Sequence, residues 1–332
     1  MNLTKTEIEN ILSSWNLGKL ISYKKATKGI VSHNWVVKTS KGQFILRKTH
    51  KYYKRKNLNF ELKYLQKLKK AGFPYEIPAP ILTRSKSKFI KNKNGFFWVY
   101  KFIEGDFVED NDKKQVSEIA LMVAKYHNFL EKNKLDNGMS IPRVFRRNTF
   151  LNDIKEYIGN MPKIKDKKDN VFIEGSKKLV PLLKELDGRV YRSLKKYPIH
   201  ADLNVENLLW KKNKLVGIID FENVGHLNDV LLRDLVIVIM FSCSSNERID
   251  LGKAKYFLKE YMKYRTLSRD EIRIIPDMIV VTYIDFFVFS YWVFVHDPKR
   301  AKLKYLKENS SAALWHYKNK ENILKVLNSV LV

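Results

Sequence analysis

Cysteine is almost absent from this sequence: Cys243 is the single one in 332 residues. One cysteine cannot form an intramolecular disulfide, which excludes the small secreted domains that disulfides hold together. The first residues, Met1 to Thr6, also lack an apolar signal region. The hydrophobic content of 45% is enough for a large core in a chain of this length. We therefore expect a soluble, cytoplasmic protein with a large hydrophobic core.

Acidic residues are scarce relative to basic ones. There are 35 Asp and Glu residues against 63 Lys and Arg residues, which gives a formal net charge of +28. Such an excess can indicate nucleic acid or another polyanion, and the best candidate patch is the basic run from Lys48 to Lys56, which includes Tyr52 and Tyr53. However, 49 of the basic residues are lysine, and Asn, Ile and Tyr are also abundant. Codons rich in A and T give the same bias, so we favour a compositional origin of the charge over nucleic-acid binding.

The densest apolar stretch covers residues 278–295. Its 18 residues approach the length of a membrane-spanning helix. Asp285 lies within the stretch, and a charge near the centre of a membrane span costs about 2.5 to 3.5 kcal/mol. We therefore expect a buried helix here and no membrane span.

Three polar side chains, Asp202, Asn207 and Asp220, form the most informative pattern in the chain. Apolar runs on either side of a polar corner at residues 211–214 predict a β-hairpin. Pairing of its strands would bring Asn207 and Asp220 side by side, where an amide oxygen and a carboxylate suit Mg²⁺. Asp202 could accept the proton of an attacking hydroxyl. The spacing indicates phosphoryl transfer, although each residue taken singly is also an ordinary turn residue.

This region resembles a known superfamily. The residues that carry the resemblance are His200, Asp202 and Asn207, the run Ile219 to Glu222, and the pair Asp234 and Leu235. They are similar to the catalytic and metal loops of the aminoglycoside phosphotransferase, choline kinase and type II homoserine kinase superfamily. The resemblance implies a protein-kinase-like fold that uses ATP and Mg²⁺, with Asp202 as the catalytic base. It also implies that Asn207 and Asp220 are the metal ligands and that His200 and Asp234 are structural.

Two departures distinguish the chain from eukaryotic-type protein kinases. Ala201 stands where their catalytic loop carries arginine, and Glu222 stands where their metal loop carries glycine. No Ala-Pro-Glu element follows. We therefore expect a small-molecule acceptor rather than a protein, and Glu222 is a candidate to assist the metal or to contact the substrate.

The N-terminal part agrees with the resemblance. Two β-rich runs, 30–38 and 43–48, surround a polar turn and predict a second hairpin. By the resemblance, Arg47 would contact the ATP phosphates, with Lys48 as the neighbouring alternative that strand alternation directs to the opposite face. Glu61, which opens a helical pattern, is the candidate to pair with Arg47, and a solvent-facing helix acid is the equally weighted alternative.

A glycine-rich Gly-x-Gly-x-x-Gly loop is absent from the sequence. The turn at residues 29–34, which includes Ser32, would cover the phosphates instead.

Hydrophobic patterns divide the chain into two lobes. The apolar run at residues 96–103 precedes Glu104, and in the resembling family such a run ends in a hinge whose backbone binds adenine. We expect residues 1–103 to form a small N-lobe with an antiparallel β-sheet and one helix, and residues 104–332 to form a larger, mainly helical C-lobe. ATP would bind between these lobes of an α+β fold. Residues 143–169 lack a clear period and are expected to form exposed loops.

Asp285 needs a partner if its helix is buried. It could bind an amine or hydroxyl of the acceptor, since the aromatic residues around it could attract an ammonium group. A salt bridge to a nearby Lys or Arg, with the aromatic residues packed in the core, is the favoured alternative.

The expected function is ATP- and Mg²⁺-dependent transfer of the γ-phosphate to a hydroxyl of a small metabolite. Candidate acceptors are an amino alcohol, homoserine, a sugar or an aminoglycoside-like compound, of which the polycationic aminoglycosides fit a strongly basic chain least well. The alternatives are a catalytically silent kinase-like protein, as among spore-coat-associated relatives, and a polyanion binder.

Overall fold

The protein comprises two compact units. The computed structural model describes residues 3–26, 32–50, 53–108, 112–133, 147–163, 165–186, 188–225 and 228–330. The smaller unit consists of residues 1–108 and 206–226, and the larger unit consists of residues 109–205 and 227–332. An antiparallel sheet characterises the smaller unit and helices characterise the larger one, which confirms the predicted α+β class.

A five-stranded antiparallel sheet organises the smaller unit. Its elements are α1 (Lys5–Leu12), β1 (Leu20–Lys25), β2 (His33–Thr39), β3 (Gly42–Lys48), α2 (Arg55–Lys70), β4 (Ile90–Asn92), β5 (Gly95–Lys101), β6 (Leu208–Lys211) and β7 (Lys214–Ile218). The sheet has the strand order β1-β2-β3-β5-β4, and β6 and β7 pair with each other. The predicted hairpin around residues 39–42 is therefore confirmed as β2 and β3.

Side-chain alternation gives the two faces of β3 different surroundings. Leu46 is paired with Trp35 of β2, and both are buried in one apolar cluster with Trp15, which follows α1. Arg47 points to the opposite face by the period of two in a strand. It is paired with Trp98 of β5, and its guanidinium lies 6.0 Å from the centre of the indole ring. The buried cation is thus fixed beside an aromatic ring.

The second predicted hairpin is confirmed as β6 and β7. Leu208 is paired with Ile218 across the two strands. Lys212 and Asn213, between the strands, both adopt left-handed backbone angles, with φ of 50° and 58°. These angles are typical of the tight two-residue turns that match the twist of a hairpin.

Backbone hydrogen bonds attach this hairpin to the smaller unit. The N–H of Ile218 donates to the carbonyl of Glu76, and the N–H of Trp210 donates to the carbonyl of Asp106, both at 2.9 Å. The division into units therefore differs from the predicted one, 1–103 and 104–332, because residues 206–226 belong to the smaller unit.

Helices pack around one long central helix in the larger unit. Its elements are α3 (Lys113–Asn133), α4 (Arg147–Gly159), α5 (Lys167–Glu185), α6 (Arg189–Ser193), α7 (Leu231–Ser242), β8 (Ser244–Ser245), β9 (Arg248–Ile249), α8 (Leu251–Met262), α9 (Arg269–His296), α10 (Leu303–Lys318) and α11 (Lys320–Asn328). Helix α9 packs against α5, α7, α10 and α11. It begins at a capping box in which Ser268 and Glu271 each bind the backbone N–H of the other.

Helix α9 contains the apolar stretch at residues 278–295. Among the described residues it is the one helix long and apolar enough to cross a membrane, and 56% of its apolar window is buried inside the protein. Phe287 and Tyr291 are among its buried side chains and stack on Phe172 of α5. These contacts are those of a core helix, as the sequence predicts.

The prediction of loops at residues 143–169 is wrong where helices form. Helix α4 occupies Arg147–Gly159, and α5 begins at Lys167. Phe150 and Ile154 of α4, four residues apart, are both buried, so the helix has a narrow apolar stripe. The many charged residues around this stripe hide its period in the sequence. Residues 134–146 lie outside the described part of the chain.

Candidate active site

Asp234, at the start of α7, binds the backbone of the loop that carries Asp202. The backbone N–H groups of His200 and Ala201 donate to the two carboxylate oxygens of Asp234 at 3.0 and 2.6 Å. Asp234 is fully buried. Burial raises its pKa to about 7, although both backbone hydrogen bonds act to lower it. Asp234 thus has the structural role that the resemblance implies.

The backbone turns sharply just before Asp202. Ala201 has a φ of +59°, a left-handed conformation that costs an ordinary residue about 1 to 2 kcal/mol. Its hydrogen bond to Asp234 offsets part of this strain. His200 is fully buried, and its Nδ1 accepts a hydrogen bond from the N–H of Asp202 at 3.3 Å. The side chain of Asp202 remains partly exposed, and its Oδ1 accepts a hydrogen bond from Nδ2 of Asn204 at 2.9 Å.

The hairpin of β6 and β7 places Asn207 and Asp220 at one end, within the smaller unit. The N–H of Ile219 donates to the carbonyl of Asn207 at 3.0 Å, so Asp220 follows directly after the residue opposite Asn207. Asp220 has a φ of +65° and a partly exposed carboxylate. The two side chains offer an amide oxygen and a carboxylate. This donor set fits Mg²⁺, which prefers hard oxygen ligands, takes few of them from the protein and keeps several waters.

Arg47 connects β3 with the segment after β7. Its Nη2 donates to Oδ1 of Asp220 at 2.6 Å, to Oε2 of Glu222 at 2.8 Å and to Oγ of Ser32 at 3.3 Å. Arg47 is 4% exposed. Burial acts to lower the pKa of its guanidinium, but the carboxylates of Asp220 and Glu222 raise that pKa well above its usual value. Arg47 is therefore a permanent cation held against the candidate metal ligand Asp220.

Glu222 is a partner of Arg47 that sequence reasoning missed. Its carboxylate also accepts a hydrogen bond from Oγ of Ser32 at 3.2 Å, and its carbonyl accepts one from the hydroxyl of Tyr53 at 2.6 Å. Burial and the neighbouring Asp220 raise the pKa of Glu222 to about 7, against the opposing effect of Arg47. The one signal in the sequence was a glutamate at a position where protein kinases carry glycine.

Glu61, the predicted partner of Arg47, lies on α2 and is 1% exposed. Solvent exposure, the alternative for Glu61, is therefore excluded. Burial raises the pKa of Glu61 to about 8, and Arg47 acts electrostatically to lower it. The ion pairs of Arg47 within 4 Å run to Asp220 and Glu222 in the described part of the chain. Glu61 thus lies near Arg47, and Glu222 makes the direct contact.

Lys48 is half-buried and follows Arg47 on β3, so alternation directs the two side chains to opposite faces. Burial lowers the pKa of Lys48. Arg47, and not Lys48, is the residue that the structure brings to Asp220. Of the turn at residues 29–34, residues 29–31 lie outside the described part of the chain.

Asp285 lies on α9 and pairs with Arg233 of α7. The Nη2 of Arg233 donates to Oδ2 of Asp285 at 2.5 Å. The favoured alternative for Asp285, a salt bridge, is therefore the one found. Arg233 itself was not singled out in the sequence, because nothing in the pattern of 63 basic residues indicates which of them α9 contacts.

The sequence model of the phosphotransferase enzyme family matches residues 22–265. The chain belongs to this family. Phosphotransferase family membership confirms the predicted enzyme class, a small-molecule kinase. The homoserine kinase of Agrobacterium fabrum is 25% identical over 315 residues, covering 92% of this chain and 93% of that protein. The homoserine kinase of Bartonella henselae is 26% identical over 270 residues, covering 81% and 80%.

Solved structures of phosphotransferases share the fold. A microcompartment-associated aminopropanol kinase aligns with a TM-score of 0.69 at 14% identity, covering 96% of this chain and 98% of that one. A spectinomycin phosphotransferase in complex with ADP and spectinomycin aligns with a TM-score of 0.68 at 14% identity, covering 95% and 99%. The predicted protein-kinase-like fold of this superfamily is confirmed.

Proposed function

We propose that this phosphotransferase is an ATP- and Mg²⁺-dependent kinase that phosphorylates the hydroxyl of a small, amino-bearing acceptor. The observation that carries the proposal is the group formed by Arg47, Asn207 and Asp220, in which a buried cation touches a carboxylate at the end of a hairpin that also bears an amide. Phosphoryl transfer requires a basic side chain and Mg²⁺ at the phosphates, and protein side chains that hold the Mg²⁺.

Each residue has a distinct role in this proposal. Asn207 and Asp220 would hold Mg²⁺, which supplies charge neutralisation on the phosphates. Arg47 would donate hydrogen bonds to phosphate oxygens. Asp202, on the loop five residues before Asn207, would accept the proton of the acceptor hydroxyl while the acceptor oxygen bonds to the γ-phosphorus. The bond from that phosphorus to the bridging oxygen breaks, and ADP leaves with the electron pair.

Two lines of support favour an amino-bearing acceptor. Several relatives similar over most of the chain are homoserine kinases, and one fold neighbour is an aminopropanol kinase. The net charge of +28 disfavours polycationic aminoglycosides, because like charges reduce their rate of encounter. Homoserine and short amino alcohols are therefore the first acceptors to test.

The test is ADP formation from ATP and Mg²⁺ with each acceptor, for the wild type and Asp202→Asn. We expect kcat to fall by about 10²- to 10⁴-fold in the variant, since general-base catalysis contributes an effect of this size. The KM for ATP should change little. Unchanged turnover in a folded Asp202→Asn protein would refute the assignment of the base. ATP binding without turnover on any acceptor would favour the alternative, a catalytically silent kinase-like protein.

A further inference from the structure

A second cluster of buried charges lies in the larger unit, apart from the residues assigned to nucleotide and metal. Arg233 on α7 is 3% exposed, and its Nη2 donates to Oδ2 of Asp285 on α9 at 2.5 Å. Asp229, just before α7, is also buried and acts electrostatically on Arg233. Arg233 thus pairs directly with Asp285, and Asp229 lies close enough to interact with it electrostatically. Buried charges of this kind need both pairing and hydrogen bonds.

The hydrogen bonding of this cluster is incomplete. Nε and Nη1 of Arg233 are buried and have no hydrogen-bond partner among the described residues. Oδ1 of Asp229 accepts hydrogen bonds from the hydroxyl of Tyr191 at 2.5 Å and the N–H of Val230 at 2.7 Å. Its Oδ2 is buried and also lacks a partner within the described chain. Since buried polar atoms are nearly always paired in folded proteins, these donors and this acceptor require further hydrogen-bonding groups, which a ligand or water can supply.

The backbone on both sides of the cluster is tied to the segment that leads to Asp202. Asp229 and Tyr197 exchange two backbone hydrogen bonds of 2.8 Å. Asp234, next to Arg233 in the chain, accepts from the N–H groups of His200 and Ala201. The cluster and the proposed base therefore belong to one packed region of the larger unit.

The cluster borders an exposed aromatic surface. Asp285 is 13% exposed on its side-chain atoms. Phe286 beside it is half-buried, and its ring lies 6.0 Å from that of Phe241, which is 45% exposed. Phe289, one turn further along α9, is 44% exposed. Small-molecule sites combine aromatic side chains with a few precisely placed polar groups, and both kinds of side chain are present here.

We propose that Arg233 and Asp229 bind the acceptor, and that its chemical class is a hydroxylated amino acid. Arg233 binds the acceptor carboxylate through its unpaired Nε and Nη1, and Oδ2 of Asp229 accepts a hydrogen bond from the acceptor ammonium group. Asp285 keeps the guanidinium in place. This assignment rests on the proposed function, because it specifies the acceptor of that same reaction. It accounts for the buried N–H groups on Nε and Nη1 of Arg233, which have no partner among the described residues.

The test compares three acceptors that differ by one group. L-Homoserine carries both charged groups, 3-aminopropan-1-ol lacks the carboxylate, and 4-hydroxybutanoate lacks the ammonium group. Sites built to hydrogen-bond a substrate group discriminate strongly against analogues without it. We expect kcat/KM of the wild type for homoserine to exceed that for 3-aminopropan-1-ol by about 100-fold or more.

The matched variant is the double substitution Arg233→Met with Asp285→Leu. Replacing both members of a buried ion pair by apolar residues of similar size commonly preserves folding. We expect the preference for homoserine to fall to a few-fold while turnover of 3-aminopropan-1-ol persists. Arg265→Met is the control, because Arg265 pairs with Glu131 and Glu271 elsewhere in the larger unit. Its preference for homoserine should equal that of the wild type.

The outcomes separate this inference from the proposed function. Equal kcat/KM for homoserine and 3-aminopropan-1-ol in the wild type, or an unchanged preference in the double variant, overturns the role of Arg233 while the kinase stands. Absence of turnover with all acceptors overturns the proposed kinase activity. The acceptor site is then tested by measuring the Tm with each acceptor in the absence of nucleotide. A rise in Tm with homoserine and not with the two analogues, which the double variant loses, supports the site, and no rise in Tm with homoserine overturns it.

Discussion

At the scale of single residues, the position of Arg47 depends on acidic side chains that are distant in the sequence. Its one Nη2 atom contacts Asp220, Glu222 and Ser32. Asp220 would also hold the metal in the proposed mechanism, so Glu222 is the carboxylate that remains to hold the guanidinium. Hydrogen bonds between charged groups are roughly twice as strong as neutral ones. Glu222 is therefore expected to fix the position of the Arg47 guanidinium relative to the ATP phosphates.

Replacing Glu222 by glutamine should weaken nucleotide binding. Glu222→Gln keeps the shape and one acceptor oxygen but removes the charge facing Arg47. We expect the KM for ATP to rise about tenfold, since a hydrogen bond to a charged group contributes about 1.5 to 3 kcal/mol. The change in kcat should be smaller. Steady-state kinetics at pH 8, above the pKa of about 7 of Glu222, measures both.

Two further variants show whether this effect is specific. Glu9→Gln removes a carboxylate of the same unit whose ion pair with Lys5 is exposed, and it should leave the KM unchanged. Glu61→Gln should raise the KM less than Glu222→Gln, because burial raises the pKa of Glu61 to about 8. A larger effect of Glu61→Gln would show that Glu61 is the residue that holds Arg47.

The residues of the candidate site could be predicted from the sequence where the chain itself brings them together. The resemblance selected Arg47, strand alternation directed Lys48 to the opposite face, and the predicted hairpin placed Asn207 near Asp220. Glu222 is 175 residues from Arg47, and no local pattern relates two positions so far apart. Its contact follows from how β3 packs near the segment after β7, which is a property of the fold.

At the scale of elements, a close contact between α5 and α9 depends on the absence of one side chain. A Cβ atom at Gly175 of α5 would lie 2.6 Å from Cζ of Phe287. The Phe287 ring is fully buried and stacks on Phe172, with ring centres 5.0 Å apart. Because interiors are closely packed, the ring has little room to move aside. Gly175 therefore sets the distance between the two helices.

Gly175→Ala is expected to destabilise the protein. Overpacking of a core costs about 1 to 3 kcal/mol, which exceeds the helix-propensity gain of at most about 1 kcal/mol for replacing glycine. Gly159→Ala is the matched control, since Gly159 is also helical and a Cβ there has no neighbour within 4 Å. Urea denaturation should give a lower midpoint for Gly175→Ala alone. Equal midpoints for the two variants would show that α5 and α9 adjust at no cost.

His316 of α10 joins that helix to strand β9 and makes stability depend on pH. Its Nδ1 lies 2.8 Å from the carbonyl of Ala312, and its Nε2 accepts from the N–H of Ile249 at 3.4 Å. Protonation of Nε2 would place its N–H against the N–H of Ile249, so that two donors face each other and the hydrogen bond is lost. Burial lowers the pKa of His316 to about 4 from the ordinary 6.5. The neutral ring therefore stabilises the fold fully above pH 6.5, and this contribution is lost as the pH falls towards 4.

The free energy of unfolding should reflect this loss between pH 6.5 and 4. The contribution of His316 is about 3 kcal/mol, since its pKa falls from 6.5 to about 4. We expect His316→Gln to be less stable than the wild type at pH 7 and to lose less stability on acidification. His296→Gln, at an exposed position of α9, should keep the pH dependence of the wild type. Parallel curves for the wild type and His316→Gln would contradict the assignment.

Elements could be predicted where apolar periodicity was strong. The runs that became β3 and β7 alternate or are uniformly apolar, and 28 residues of α9 include a long apolar stretch. Helix α4 was missed because its buried side chains, Phe150 and Ile154, are few among charged neighbours. In such helices tertiary contacts supply most of the stability, and a single sequence does not show them.

At the scale of the whole molecule, the division into two units follows packing rather than chain order. The hairpin of residues 206–226 lies late in the sequence, yet the hydrogen bonds of Ile218 with Glu76 and of Trp210 with Asp106 join it to the smaller unit. A single boundary at Glu104 assigns every later residue to the larger unit, so it could not place residues 206–226 in the smaller one. The smaller unit therefore contains both Arg47 and the two candidate metal ligands within its own packing.

The stability of the whole protein should rise when nucleotide and Mg²⁺ bind. A ligand that binds the folded chain alone stabilises it by RT ln(1 + [L]/Kd), about 2.7 kcal/mol at 100 times Kd. We expect ATP with Mg²⁺ to raise the Tm by several degrees, and EDTA to remove most of this shift. Asp220→Ala should abolish the Mg²⁺-dependent part, because Asp220 would supply the carboxylate of the metal site. Asp270→Ala, at an exposed acid on α9, should keep it. An Mg²⁺-dependent shift that survives in Asp220→Ala would show that the metal is held elsewhere. Absence of any shift in the wild type would contradict the proposed binding of ATP and Mg²⁺.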